Sequence, residues 1–260
     1  MFGAIIGDMI GSAYGRRDTP TQRTDFLAWT PRSHFTDDTV LSVATAEAIL
    51  ADGDYRAAYL KWTNLFPQAG YGPAFKKWAS AENPEPYDSF GNGSAMRVGP
   101  IGWAFETLEE TLAEAEKSAA CSHNHPEGIK GAQAVAAAIF WARNGENKDF
   151  IRRSVEERFG YDLSRSCDEI RPGYVYGVTC QKTVPEALIA FLDAKDFEEA
   201  VRLAVAFGGD ADTLACMAGS VAEAFWGAAS IPNDWRQNAL ERLDERLKAV
   251  VDAFEAKYER

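Results

Sequence analysis

Four glycines, Gly3, Gly7, Gly11 and Gly15, recur at four-residue spacing through an otherwise apolar opening stretch. On an α-helix that spacing places them in one stripe, because residues i and i+4 share a face. Each glycine costs an isolated helix about 1 kcal/mol relative to alanine. The stripe makes a smooth face, and close packing against another helix offsets that cost. The pattern therefore predicts a buried helix over residues 3–15. Asp8 lies inside it. A buried carboxylate needs partners, so Asp8 is expected to hydrogen-bond a neighbouring loop rather than to ligate a metal directly.

Helical patterns dominate the rest of the chain and β signals are sparse. Apolar spacing predicts helices over 37–50, 54–66, 73–81, 106–120, 127–143, 148–159, 185–192, 197–207 and 214–229, with a long last helix over 235–258. No linker, low-complexity tract or short repeat divides the 260 residues, so the expectation is one all-α domain over 1–260, a compact multi-helix bundle. No apolar run is long enough to span a bilayer, and Asp8 interrupts the one apolar stretch near the start. A net charge of −12 with no basic patch argues against a nucleic-acid surface. Cys121, Cys167, Cys180 and Cys216 show no metal-binding spacing and fit free thiols in a reducing compartment, so a cytoplasmic location is expected.

Two short acidic turns carry the chemistry. Gly208-Gly209-Asp210-Ala211-Asp212-Thr213 lies between two helical patterns, and Thr36-Asp37-Asp38 opens the helix over 37–50. Each offers a hydroxyl and two carboxylates at a helix start. Helix capping explains either turn alone. Hard oxygen ligands so closely spaced also suit Mg²⁺, Mn²⁺ or Ca²⁺. If the fold brings the turns together, four carboxylates share one space and raise each other's pKa. A pair of divalent cations, typically about 3.5–4 Å apart, would relieve that repulsion.

Further features are Gly7-Asp8-Met9-Ile10-Gly11, the loop Gly91-Asn92-Gly93-Ser94-Ala95-Met96-Arg97 and Ser122-His123. Glycines at 91 and 93 allow an anion-binding nest, or simply a tight turn. Taken with the two acidic turns, and in this order along the chain, these blocks resemble the metal signature and substrate loops of the ADP-ribosylglycohydrolases. The resemblance implies an all-α fold with a dinuclear metal cleft. It implies two divalent cations, Mg²⁺ or Mn²⁺, held by Thr36, Asp37, Asp38, Asp210, Asp212 and Thr213. It further implies catalysis by Asp37, Asp38 and Asp210. It assigns substrate binding to Gly91, Asn92, Gly93, Ser94, Met96 and Arg97 around a diphosphate, to His123 on the ADP-ribose, and to Tyr174 in the nucleoside pocket.

The expected activity is metal-dependent removal of ADP-ribose from a modified protein, with the N-glycosidic bond to arginine favoured. Many family members carry a glutamate after Ser-x-Tyr that serves serine-directed chemistry. Here Ser12-Ala13-Tyr14 is followed by Gly15, and Asp18 is a possible substitute. The alternatives are O-linked ADP-ribose hydrolysis, a dinuclear phosphoesterase, and an inactive relative that only binds ADP-ribose.

Overall fold

The computed structural model describes residues 1–15, 21–51 and 53–258. Among them are fourteen α-helices and no strand. The first half contains α1 (Phe2–Gly11), α2 (Asp37–Leu50), α3 (Tyr55–Leu65), α4 (Pro73–Ala79), α5 (Gly99–Ala104), α6 (Leu108–Ala120) and α7 (Pro126–Arg143). The second contains α8 (Lys148–Phe159), α9 (Cys167–Ile170), α10 (Cys180–Asp193), α11 (Phe197–Val205), α12 (Ala211–Trp226), α13 (Asn233–Arg242) and α14 (Glu245–Tyr258). No described helix is long and apolar enough to cross a membrane.

Side chains mark many of the helix starts. Thr36 caps α2 by accepting the Asp38 N–H, and Asn147 caps α8 by accepting that of Phe150. Thr107 and Glu110 form a reciprocal capping box at α6. His125 accepts the Glu127 N–H ahead of Pro126, which occupies the first turn of α7, where a missing N–H costs nothing.

α1 ends at Gly11 rather than at residue 15, α5 is not predicted by the patterning, and three further stretches differ from the sequence expectation. α10 begins at Cys180, not at Pro185, which lies inside it. Burial of Cys180, Thr183 and Val184 compensates for the hydrogen bond that proline cannot donate. The long last helix is two helices, because Leu243 turns extended (ψ 134°) to bury its side chain. The loop after residue 160 contains α9, started by a second capping box from Ser166 and Glu169.

α12 is the hub, packed by α1, α7, α10 and α11. Every residue of α1 is buried, and it meets α12 backbone to backbone. A Cβ added to Gly3 would lie 2.2 Å from the Gly219 carbonyl oxygen, one on Gly7 2.0 Å from that of Ala215, and one on Gly11 2.4 Å from that of Ala211. The glycine stripe thus lets the two helices approach closer than any side chain permits.

Gly7→Ala is therefore expected to cost about 3 kcal/mol or more, through overpacking against rigid backbone. Gly173→Ala, where a Cβ meets nothing within 4 Å, should stay within about 0.5 kcal/mol of wild type. Urea melts followed by circular dichroism compare the two; equal midpoints would refute the close-contact argument.

Candidate active site

The α1–α12 contact brings the two acidic turns together. Asp8, fully buried on α1, faces the start of α2. Its Oδ2 accepts the N–H of Thr36 (2.8 Å) and of Thr39 (3.1 Å) and the Thr39 hydroxyl (2.5 Å). Its Oδ1 accepts the Thr36 hydroxyl at 2.7 Å. Asp8 is thus the acceptor that pins the first acidic turn to α1. The second turn opens α12, next to α1. There Gly208 takes φ +73°, and Asp210, although at the N-cap position, makes no side-chain cap bond. Its Oδ2 instead accepts from Asn92 Nδ2 at 2.7 Å. Thr213 Oγ1 donates across the gap to Asp38 Oδ2 at 3.3 Å, joining turns 175 positions apart.

The result is a cluster of carboxylates with which no lysine or arginine among the described residues forms an ion pair. One oxygen each from Asp8, Asp38 and Asp212 lie within 4.8 Å of one another. Burial raises every pKa in the group, and neighbouring carboxylates add to the rise at Asp8, Asp37, Asp38 and Asp210. Asp8 is pushed up to about 6 and Asp210 to about 7. Asp37 and Asp38 are raised well above the ordinary range, and Asp212 is raised as well. Asp38 Oδ1 is buried with no hydrogen-bond partner. Hard anionic oxygens, mutual repulsion and an orphaned buried lone pair together fit a divalent cation.

A cavity of about 540 Å³ opens over the cluster. Asp37, Asp38, Asp210, Asp212 and Thr213 form its floor, while Thr36 stays behind it with its hydroxyl on Asp8. Gly91, Asn92, Gly93 and Met96 line one wall together with His123. The N–H groups of Gly91 and Asn92 are spent on Ser89 Oγ and the Val178 carbonyl, so the nest expected of this turn loses two donors. His123 lies beneath the turn, its Nδ1 2.8 Å from Ser122 Oγ. Burial and the nearby Arg97 charge hold its pKa well below the usual histidine value.

Two expected substrate contacts are placed elsewhere and a third is recessed. Ser94 is fully buried, and its hydroxyl donates to the Gly128 carbonyl at 2.8 Å, turned away from the cavity. Tyr174 packs on Phe207, with ring centroids 5.3 Å apart, and covers Gly209, while its hydroxyl donates to the Lys182 carbonyl. Tyr176 and Val178 line the cavity in its place. Arg97 borders the inner wall but is fully buried, and its hydrogen bonds go to Ser118 O and Ser122 Oγ. Asp18 lies outside the described residues. A Cβ on Gly15 would stand 3.4 Å from Asp212 Oδ1. The facing wall, Gly70 to Phe75, reads in sequence as the end of a connector and the start of the helix over 73–81. Only the positive φ of Gly70 (+109°), which brings its backbone over Asp37, makes it part of the cleft.

An all-helical protein whose paired helix starts present clustered carboxylates to a sugar-sized cavity has the makings of a metal-assisted glycosyl hydrolase. The whole chain, residues 1–260, matches the family model described as ADP-ribosylglycohydrolase, and the chain belongs to that family. It is accordingly an enzyme, a hydrolase acting on glycosyl bonds. It is 24% identical to ADP-ribosylhydrolase ARH3 from Mus musculus, over 97% of this chain and 90% of the relative. It is 27% identical to ADP-ribosylarginine hydrolase Tri1 from Pseudomonas putida (strain GB-1), over 90% of this chain and 72% of the relative. A solved structure described as an ADP-ribosylglycohydrolase-related protein complex superposes with TM-score 0.72 at 27% identity, covering 98% of this chain and 95% of that one.

Raised carboxylate pKa values give the cation-free folded chain more bound protons than the unfolded chain between about pH 4 and pH 7. Its stability is therefore expected to fall as pH rises through that window. A cation takes only deprotonated carboxylates, so stabilisation by Mg²⁺ or Mn²⁺ should be larger near pH 8 than near pH 5.5. At a hundred times its Kd one bound ion adds about 2.7 kcal/mol, and each kcal/mol is worth about 2–4 °C in Tm for a chain of this size. Asp212→Asn should abolish that gain while raising the Tm of chelated protein at the higher pH. Thermal melts with chelator and with each ion check both statements; a gain independent of pH would contradict them.

Proposed function

We propose that this enzyme releases ADP-ribose from modified arginine on a protein, using two divalent cations, Mg²⁺ or Mn²⁺, at the carboxylate cluster. The observation that carries the reading is the convergence of Asp37–Asp38 with Asp210–Asp212 across the Thr213–Asp38 hydrogen bond. Asp37, Asp38, Asp210 and Asp212, with Thr36 and Thr213, would hold the cations. When bound, they would supply Lewis acidity to ribose hydroxyls and to a water beside the anomeric carbon.

The chain's own groups do the rest. Asp37 and Asp210 stand at the cavity wall, each only half-buried, where a carboxylate accepts the proton of an attacking water. Asn92 fixes Asp210 at 2.7 Å, so the acceptor does not swing away. Glycosidic cleavage develops positive charge at the anomeric carbon, which a nearby carboxylate oxygen stabilises. His123 and the Gly91–Gly93 turn border the region beyond, where contacts to the diphosphate supply binding energy remote from the breaking bond.

Two features favour arginine. A carboxylate oxygen of Asp37 or Asp210 that faces the cavity pairs with a cationic guanidinium more strongly than with a neutral hydroxyl. Gly15 brings only backbone over Asp212, so no carboxylate reaches the site from that position. The second reading is hydrolysis of O-linked ADP-ribose. The same carboxylates would serve it, and the matches to ADP-ribosylhydrolase ARH3 span as much of the chain as the match to the arginine hydrolase.

The test is release of ADP-ribose from arginine-modified and serine-modified protein, with Mg²⁺, with Mn²⁺ and with chelator. Metal-dependent release from arginine is expected, and release from serine alone would overturn the proposal. Asp38→Ala and Asp212→Ala should each lower kcat/KM at least 100-fold. Asn92→Ala, which frees Asp210, should cost roughly 10–100-fold, the usual range for losing the partner of a ligand.

A further inference from the structure

Arg97 is the largest charged side chain that the chain buries completely, and its hydrogen bonds go to neutral groups. Nη2 donates to the Ser118 carbonyl at 2.6 Å and to Ser122 Oγ at 3.0 Å, and comes within 4.0 Å of Cys121 Sγ. The guanidinium lies over the Tyr59 ring, 4.1 Å from its centroid. A guanidinium only donates, so Ser122 Oγ is the acceptor in their bond and keeps its own proton for another partner. Besides Arg97, Ser122 Oγ has His123 Nδ1 at 2.8 Å and the Cys121 thiol beside it. Ser122 is fully buried, and a buried hydroxyl left without an acceptor is costly. Sulfur accepts only weakly, so the hydroxyl proton goes to Nδ1, which is then the bare nitrogen of the ring. The ring's single proton then sits on Nε2. That atom lies under the glycine turn: a Cβ on Gly93 would be 3.1 Å from it, and one on Gly91 3.5 Å. Nε2 has no hydrogen bond among the described residues, and His123 borders the cavity.

We propose that Arg97 and Ser122 are positioning residues that lock His123 as its neutral Nε2–H tautomer, so that it presents a fixed donor to an anionic oxygen of the ligand. The ligand class, a nucleoside-diphosphate sugar, rests on the function proposed above; the tautomer rests on geometry alone. Burial and the neighbouring guanidinium oppose a second proton on the ring. With the opposite tautomer, a lone pair would face the ligand's anionic oxygen and repel it. Arg97 thus acts on the ligand through two intermediaries.

Long-range proton–nitrogen spectra of histidine-labelled protein read the tautomer directly, with His123→Asn identifying the His123 signals. In ligand-free wild type, Nε2 should carry the proton and Nδ1 none; the reverse overturns the proposal. Ser122→Ala removes only a hydroxyl. It should mix the tautomers and raise the Kd for ADP-ribose roughly ten-fold, the loss of one hydrogen bond to a charged group. KM should rise with it while kcat changes less than two-fold. If Ser122→Ala leaves both tautomer and affinity unchanged, Arg97 acts directly and the relay is wrong. Wild type that shows the Nε2–H tautomer but takes up no ADP-ribose would refute the proposed function, and with it the ligand named here, while the tautomer assignment stands.

Discussion

The architecture depends on one backbone-to-backbone contact, that of α1 with α12. Its closeness comes from Gly3, Gly7 and Gly11 on one helix and Gly219 on the other. α12 carries Asp210 and Asp212 on its first turn. α1 carries Asp8, which binds the start of α2 and with it Asp37 and Asp38. The separation of the two acidic turns is therefore set by the helix–helix distance and by one carboxylate acting as an acceptor. A wider contact would move the two halves of the site apart as rigid bodies, and misplacement of about 1 Å in such constellations can cost 100-fold in rate.

The polar groups around the carboxylates explain why the cluster keeps room for a cation. Asp8 receives hydroxyl and amide donors from Thr36 and Thr39, and Asp38 receives the Thr213 hydroxyl. These donors are neutral. They satisfy lone pairs without cancelling charge, so the cluster keeps its capacity for a cation. A lysine or arginine in the same place would have lowered the pKa values and filled the space. Arg97, the one fully buried guanidinium among the described residues, is instead tied to the end of α6 and to Ser122. Folding tolerates the repulsion because the hub beneath is apolar and densely packed. α12 buries almost its whole length, and stability gained there offsets what the cluster costs.

How far the sequence disclosed this depends on whether a feature is local. α2 runs over Asp37–Leu50 as its Thr36 cap and acidic first turn indicate, because capping acts within four residues. Gly3, Gly7 and Gly11 were legible as a packing stripe, because a periodic cost implies a partner, although nothing local named α12. The acids of both turns were legible from their chemistry, whereas their meeting is a property of the fold. Orientation in irregular segments was not legible. Tyr174 and Tyr176 have the same side chain, two residues apart, yet one covers Gly209 and the other lines the cavity. Only the pairing of that segment with the glycine loop, through Asn92 N–H to the Val178 carbonyl and Cys180 N–H to the Phe90 carbonyl, decides which one turns inward. Ser94 misleads in a similar way: its position in a glycine-rich loop suggests a ligand contact, while its hydroxyl fastens that loop to the Gly128 carbonyl on α7.

The polarity of the cavity sets an order on what can bind there. Its floor is acidic, its glycine wall offers neutral donors from Asn92 and His123, and the rings of Tyr71, Phe75 and Tyr176 line the rest. A molecule carrying a diphosphate meets repulsion from such a floor while the carboxylates stand alone, since among the described residues lining the cavity the recessed Arg97 is the one charged donor. Cations at the floor reverse the sign of that interaction over the few ångströms that matter. On the proposed reading, cation binding therefore precedes substrate binding for electrostatic reasons, and the neutral donors of the wall fix orientation rather than supply attraction. A neutral histidine suits that division. It holds an anionic oxygen by direction, adds no charge that would compete with the metal-binding acids, and keeps its geometry whether the floor is filled or not.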